Sequence, residues 1–181
     1  RIHAVTGMEC IALIRKHEST IREIASLLKG PEGEIQSKVR RLIEEMKEME
    51  RQLEVLRAKE YQRKAAELIS YKKIIGGRNV VSCFLEGYQQ DALRGVSDYL
   101  RDRMKSGIVV LGGSKDNKAF LLVALTDDLK EVFDARDIIE KGALLIKGRG
   151  GGRRDLAQAG GDDISKIHDA LAEIEKYIAS R

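Results

Sequence analysis

The sequence contains no tryptophan, one proline and two cysteines among its 181 residues. Cys10 and Cys83 lie far apart, and neither belongs to a pair with metal-binding or redox spacing. This excludes a disulfide framework and favours a reducing, cytoplasmic environment. No window approaches the ~20 consecutive apolar residues of a membrane-spanning helix, so no membrane partner is expected. The first residues form neither a signal peptide nor an initiator methionine, which suggests a cut inside a longer polypeptide.

Positive charge is concentrated in two places, although the net charge is only +4. Residues 57–78 hold seven Lys or Arg against Glu60 and Glu67, whereas residues 1–56 are balanced. A second run, residues 147–154, holds four basic residues and no acidic one. Either segment could bind the phosphate groups of a nucleic acid. The alternative for the first segment is an ordinary solvated helix surface.

Apolar periodicity predicts two helices in the first part of the chain. The first covers residues 8–28, with Thr6 as a plausible N-cap, and the second covers residues 34–75. Between them, Gly30 suits a left-handed position after the first helix, and Pro31 cannot continue that helix. At 1.5 Å per residue the second helix would be roughly 60 Å long.

The second helix carries a coiled-coil seam, because its apolar residues alternate in steps of four and three. A short connection makes neighbouring helices antiparallel, so residues 8–76 are predicted to form a helical hairpin. Ile43 and Val55 lie beside the seam, and this spare apolar surface favours self-association. The alternative is that they only widen the seam within one chain. The candidate seam and dimer residues are Ile11, Ile14, Ile21, Ile24, Leu28, Ile35, Val39, Leu42, Met46, Met49, Leu53 and Leu56.

Residues 77–181 are predicted to form a small α/β domain. Strands are expected at 80–85, 108–111 and 119–125, and helices at 89–105, 135–147 and 164–178. The predicted fold class is therefore α+β or α/β. A long antiparallel helical hairpin would be followed by a sheet of three or four strands flanked by helices.

A glycine- and arginine-rich segment, residues 148–161, is predicted to be a loop. Glycines let a backbone approach phosphate closely and turn its N–H groups toward one anion. Arginine guanidinium groups match phosphate geometry, and Asp155 could hold one arginine in place. The alternative is a flexible linker. The single histidines His17 and His168 are expected to have surface or packing roles.

Both ends of the chain resemble alanyl-tRNA synthetases. Residues 1–7 are similar to the Arg-Ile-Glu-Ala-Val-Thr-Gly that ends the editing domain of that family, with His3 in place of the glutamate. Near the other end, a glycine run leads into a family signature, Arg-Pro-Asp, one apolar residue, then Ala-Gln-Ala-Gly-Gly. This chain matches it with Arg153-Arg154-Asp155-Leu156-Ala157-Gln158-Ala159-Gly160-Gly161. Arg154 replaces the usual proline, which makes the segment more basic.

The resemblance implies a carboxy-terminal region that mediates homodimerisation and helps hold tRNA(Ala). Residues 1–7 would be the tail of a preceding editing domain, and residues 77–181 a domain related to the one associated with DHH phosphoesterases. The parent would be an alanine–tRNA ligase with ATP, magnesium and zinc only in upstream editing and aminoacylation domains. This segment itself shows no catalytic or metal-binding grouping.

Phosphate contacts are expected from the glycine-rich segment and from residues 57–73, the basic end of the helical hairpin, which we call the base of the arm. Stacking on RNA bases is not expected, because the chain has five tyrosines and three phenylalanines and none flanks the glycine-rich segment. The alternatives are a structural dimerisation domain without RNA contact, the same module of a free-standing alanyl-tRNA editing protein, or a nuclease carrying a related domain. The candidate RNA-binding residues are Lys147, Arg149, Gly150, Gly151, Gly152, Arg153, Arg154, Gln158, Arg63, Lys64, Lys72 and Lys73.

Overall fold

The structure, a computed structural model, describes residues 6–181. Most of the predicted editing-domain tail, including His3, lies outside the described residues. The chain divides into two compact units between Val55 and Leu56. Within residues 6–181, no helix is long and apolar enough to cross a membrane.

The first unit contains α1 (Met8–Leu27), a short 3-10 turn (Glu32–Glu34) and the first part of α2 (Ile35–Leu68). The predicted Thr6 cap is wrong, because Gly7 occupies the N-cap position and no side chain caps the helix. His17 is exposed on α1, as expected.

α1 ends in a Schellman motif. The Gly30 N–H donates to the Ala25 carbonyl and the Lys29 N–H to the Ser26 carbonyl, each at 3.0 Å. The left-handed residue is Lys29, with φ of 50°, so its assignment to Gly30 was wrong. Gly30 instead leaves room for Lys38, whose Nζ donates to the carbonyls of Leu28 and Lys29 at 3.4 and 2.9 Å.

The predicted seam is only partly covered within the first unit. Among its largely exposed members in this unit, the exposed fraction runs from 38% for Val39 to 62% for Met49, and Leu56, the first residue of the second unit, is 63% exposed. Leu28 and Ile35 are half-buried, and the buried residue of α1 is Ala25. Ile43 and Val55 are also exposed, at 44% and 48%. This unit therefore presents a long apolar surface.

α2 is one continuous helix of 34 residues, about 50 Å long. It ends at Leu68 rather than at the predicted residue 75. A 3-10 turn (Ile69–Tyr71) and strand β1 (Lys73–Ile75) follow. Gly76 and Gly77, with φ of 57° and 75°, then form the tight turn of a β-hairpin. Pairing with the following strand, β2 (Arg78–Glu86), outweighs the helical spacing of the apolar residues in 69–75.

The second unit is built on a six-stranded mixed sheet rather than three or four strands. The elements after β1 are β2 (Arg78–Glu86), α3 (Gln90–Arg103), β3 (Ile108–Lys115), β4 (Lys118–Leu125), α4 (Ala135–Ala143), β5 (Arg149–Gly152), β6 (Leu156–Gly161) and α5 (Ile167–Ala179). The strand order in the sheet is β1-β2-β3-β4-β6-β5, with β2 and β3 parallel and every other pair antiparallel.

Each face of this sheet packs against helices. α4 and α5 cover one face, where Leu121, Val123 and Ala159 join the core. The other face, which we call the α3 face, packs against α3 and the end of α2 through Val109, Leu111 and Leu122. Helical spacing predicts that Leu93, Val96, Leu100 and Met104 face inward, and all four are buried. A six-stranded sheet domain with a long helix confirms the predicted fold class.

Candidate nucleic-acid interface

The glycine- and arginine-rich segment is a β-hairpin, so its prediction as a loop was wrong. Arg153 and Leu156 exchange backbone hydrogen bonds of 2.8 and 3.3 Å across the turn between β5 and β6. β6 also pairs with β4 along its whole length, and Ala157 and Ala159 are buried. Pairing on both sides of β6 rules out a flexible linker as well.

Adjacent glycines of β5 have different roles. Gly152 has a φ of 152°, and a β-carbon there would lie 2.4 Å from the Leu156 carbonyl oxygen. The tight hairpin therefore requires glycine at this position. At Gly151 an added β-carbon would meet no described atom within 4 Å. Gly151 thus leaves an open surface beside the backbone.

β5 is the last strand of the sheet, and its outer edge is a potential anion-binding surface. Hydrogen-bonded pairs alternate along an antiparallel ladder. Because Arg153 pairs with Leu156, the N–H groups of Gly151 and Arg149 point toward β6. Those of Gly150 and Gly152 consequently point away from the sheet, where they can donate to a ligand.

The cations of the hairpin are held to different degrees. Arg153 makes two contacts with Asp155, of 3.2 and 3.3 Å, which confirms that Asp155 holds an arginine in place. Arg154 Nη2 donates to the Glu131 carbonyl at 3.2 Å, and Lys147 Nζ lies 3.3 Å from Asp163. Arg149 is exposed and forms no ion pair within residues 6–181. It is therefore the cation most available to a phosphate.

Two candidate RNA-binding residues, Gln158 and Lys147, lie in surroundings that the sequence did not predict. Gln158 lies on the α3 face, where its Oε1 accepts a 2.7 Å hydrogen bond from Gln90 Nε2 and so links β6 to α3. Lys147 follows α4, which ends at Ala143, and has a φ of 54°. The predicted helix over residues 135–147 was therefore too long.

The basic residues at and beside β1, Lys72 and Lys73, do not join the hairpin. β1, which contains Lys73, and β5 lie at opposite edges of the sheet, roughly 24 Å apart at about 4.8 Å per strand spacing. Lys73 Nζ contacts Glu175 at 3.7 Å and Lys64 contacts Glu67 at 3.1 Å, while Arg63 and Lys72 are exposed. The basic track expected from the sequence is therefore interrupted between the hairpin and the residues at β1.

One aromatic residue near the hairpin was missed in the sequence. The strand register places Phe120 of β4 directly opposite Gly160 of β6, which is opposite Arg149 of β5. Phe120 lies one strand from Gly160 and two strands from Arg149 only because β4, β6 and β5 pair in the folded chain, which the local sequence does not reveal. A cleft of about 470 Å³ lies there, lined by Lys118, Phe120, Lys147, Gly148, Arg149, Gly160, Gly161 and Asp162.

Among the described residues, no group of three or more His, Cys, Asp or Glu side chains could hold a metal ion. His168 packs its ring edge-on against Phe84 with centroids 5.1 Å apart, which confirms a packing role. Cys10 and Cys83 are free, and burial raises the pKa of the Cys83 thiol.

Asp134 caps the start of α4, which is hydrogen-bonded to the hairpin turn. Its carboxylate accepts from the Arg136 N–H at 2.9 Å as an N-cap, and the neighbouring Ala135 N–H donates to the Arg154 carbonyl in the hairpin turn. Hydrogen bonding from the Arg136 side chain lowers the pKa of Asp134 to about 2. The charged form of Asp134 is therefore favoured by folding.

We predict that Asp134→Ala lowers the free energy of unfolding by about 1 kcal/mol at neutral pH, as for other N-cap removals. A carboxyl group whose pKa is lowered by folding stabilises above its unfolded pKa, and this stabilisation is lost as pH falls through the folded value. The difference from wild type should therefore shrink between about pH 5 and 2 in urea titrations. Asp134→Asn keeps a capping oxygen without the charge. A pH-independent Asp134→Ala effect would contradict the assignment.

The comparisons with known proteins agree with this geometry. The second unit is an α+β domain whose mixed sheet ends in a glycine- and arginine-rich hairpin. The chain belongs to the DHHA1 domain family, whose model matches residues 77–180. Over 182 aligned residues the chain is 34% identical to an alanine–tRNA ligase of Alkaliphilus oremlandii (strain OhILAs). The alignment covers all of this chain and 21% of the ligase, so the chain spans about a fifth of its relative.

Among solved structures, the chain is similar to the C-Ala domain of the Aquifex aeolicus alanyl-tRNA synthetase. The two share a TM-score of 0.56 and 26% sequence identity, over 60% of this chain and 97% of that domain. The resemblance to the carboxy-terminal region of alanyl-tRNA synthetases, first based on two short motifs, is thereby confirmed.

Proposed function

We propose that this chain is the non-catalytic carboxy-terminal module of an alanine–tRNA ligase, which holds tRNA(Ala) and brings two ligase chains together. The observation that carries the proposal is the β5–β6 hairpin, which has outward-facing N–H groups and an arginine, Arg149, with no ion pair within residues 6–181 at one sheet edge. Similarity over the whole chain to a ligase supports the identity of the parent. ATP, magnesium and zinc would then act in other domains of that parent.

The hairpin suits a phosphate backbone better than a specific base sequence. Arg149 is free to pair, while Arg153 is held in a fixed orientation by Asp155. Guanidinium groups and backbone N–H groups are both common phosphate donors, and such contacts position RNA without reading its sequence. The hairpin would therefore supply affinity and orientation, and the parent's other domains would supply specificity for alanine.

The triple variant Arg149→Ala, Arg153→Ala and Arg154→Ala tests RNA holding. We expect its affinity for tRNA(Ala) to fall at least 30-fold at low salt, because charged hydrogen bonds contribute about 1.5–3 kcal/mol each. The slope of log affinity against log salt should also become shallower by up to about one per lost phosphate contact. Filter binding of the 181-residue chain across a salt series measures both quantities.

The matched control removes the same charge elsewhere on the second unit. Arg94, Arg103 and Lys105 are exposed basic residues on or just after α3, and their replacement by alanine should leave tRNA affinity within about threefold. Equal affinities of the two triple variants would refute a role for the hairpin. A chain that dimerises but does not bind tRNA would instead favour a purely structural dimerisation domain, the second candidate supported by the exposed seam.

A further inference from the structure

The cleft beside the hairpin contains an aromatic side chain next to an empty position in the sheet. One row of the α3 face runs through Gly113, Phe120, Gly160 and Arg149 on four neighbouring strands. Phe120 is half-buried and packs at the margin of the core, whereas Gly160 and Arg149 are exposed. Arg149 and Phe120 thus face the same side, separated by a residue without a side chain.

Space for a ligand lies on the Gly160 side of Phe120 and not on the other. A β-carbon at Gly113 would lie 2.3 Å from the Tyr88 carbonyl oxygen, so the chain before α3 covers that position. At Gly160 the nearest described atom to an added β-carbon would be the Ala119 carbonyl oxygen, 4.0 Å away. We call the space bounded by Phe120, Gly160 and Arg149 the Phe120 slot.

Positive charge predominates around the Phe120 slot. Lys118 and Lys147 line the same cleft as Arg149, together with one carboxylate, that of Asp162. Lys118 forms no ion pair within residues 6–181, and Lys147 is paired with Asp163 while its side chain stays 76% exposed. The slot therefore combines a flat apolar surface with cations on its rim. A phosphate alone would use the cations and gain nothing from the aromatic ring.

We propose that the Phe120 slot receives one unpaired base of the bound RNA, which stacks on Phe120 while flanking phosphates contact Arg149, Lys147 and Lys118. This inference rests on the proposed function, since it specifies how the same hairpin holds RNA. Sheet surfaces that present aromatic side chains to splayed-out bases are an established mode of RNA binding. Loss of one such stack weakens binding by roughly 5- to 140-fold.

Two substitutions with different effects on the slot test this proposal in the 181-residue chain. Phe120→Leu removes the ring, and Gly160→Leu fills the slot while leaving Phe120 in place. Each should weaken tRNA(Ala) binding at least fivefold with an unchanged salt slope, because no charge is lost. Gly160→Leu keeps the test valid if Phe120→Leu does not fold. Phe84→Leu is the matched control, since Phe84 is also half-buried in the sheet but packs on the opposite face.

A spectroscopic measurement reports stacking directly. The sequence has five tyrosines but no tryptophan, so Phe120→Trp introduces a single indole in the slot, which can be excited at wavelengths that tyrosine does not absorb. Its emission should be quenched by a short single-stranded RNA and much less by an abasic oligonucleotide with the same number of phosphates.

The possible outcomes separate this inference from the proposed function. Salt-dependent tRNA binding that is equally strong in wild type, Phe120→Leu and Gly160→Leu would overturn the stacking site and leave the phosphate-binding hairpin standing. Equal quenching by the abasic oligonucleotide would also overturn it. Absence of tRNA binding by the wild-type chain would overturn both.

Discussion

Gly152→Ala is expected to destabilise the second unit by about 3 kcal/mol or more. A φ of 152° lies in a region that only glycine adopts readily, and strain of this kind costs about 1–3 kcal/mol. The added methyl group would also lie 2.4 Å from the Leu156 carbonyl oxygen, which belongs to the backbone of the paired strand and cannot rotate away. Overpacking adds about 1–3 kcal/mol. Urea unfolding followed by circular dichroism measures the sum.

The neighbouring glycine provides the control. Gly151→Ala makes the same chemical change one residue earlier, at a position with an ordinary φ and no described atom within 4 Å of the new methyl group. Its effect should stay within about 0.5 kcal/mol of wild type. Similar losses of stability in the two variants would show that the hairpin is not closed in the way described.

The double variant Leu42→Lys and Met49→Lys is expected to weaken self-association at least 100-fold. These side chains are 52% and 62% exposed in the single chain, so a partner can still bury about half of each. Full burial of such a side chain contributes about 1.5–3 kcal/mol, and a symmetric dimer loses each contact twice. Two substitutions therefore remove about 3 kcal/mol or more, before the cost of burying a charge.

Sedimentation equilibrium of the 181-residue chain measures this effect. Ser37→Lys with Gln52→Lys is the matched control, because it adds two lysines and the same charge to exposed positions of the same helix outside the predicted seam. The control should dimerise within a few-fold of wild type. A wild-type chain that is monomeric at micromolar concentration would refute the dimerisation part of the proposed function.

Much of the fold could be predicted from the sequence where the signal is local. The inward face of α3, from Leu93 to Met104, follows from helical spacing alone. β3 and β4 are recognisable as short apolar runs separated by the turn at Asp116 and Asn117, both of which have positive φ. The pairing of Arg153 with Asp155 was also accessible, because the two residues are adjacent in the hairpin turn.

The missed features depend on pairing between distant residues. β5 consists of one arginine and three glycines, which have low intrinsic preference for strands. It becomes a strand because its backbone pairs with that of β6, and β6 in turn pairs with β4. Phe120 could not be assigned to the candidate interface for the same reason. Residues 69–75 were misread because their apolar spacing also fits a helix, although the two glycines that follow are a hairpin signal.

The open edge of β5 has a second consequence. An uncovered edge strand can pair with another chain, and natural proteins guard such edges with short strands and charged residues. β5 is only four residues long and begins at Arg149, while Arg153 and Arg154 follow it directly. Positive charge at both ends makes the approach of an identical edge unfavourable. The composition that suits this strand to a phosphate backbone thus also protects it from edge-to-edge aggregation.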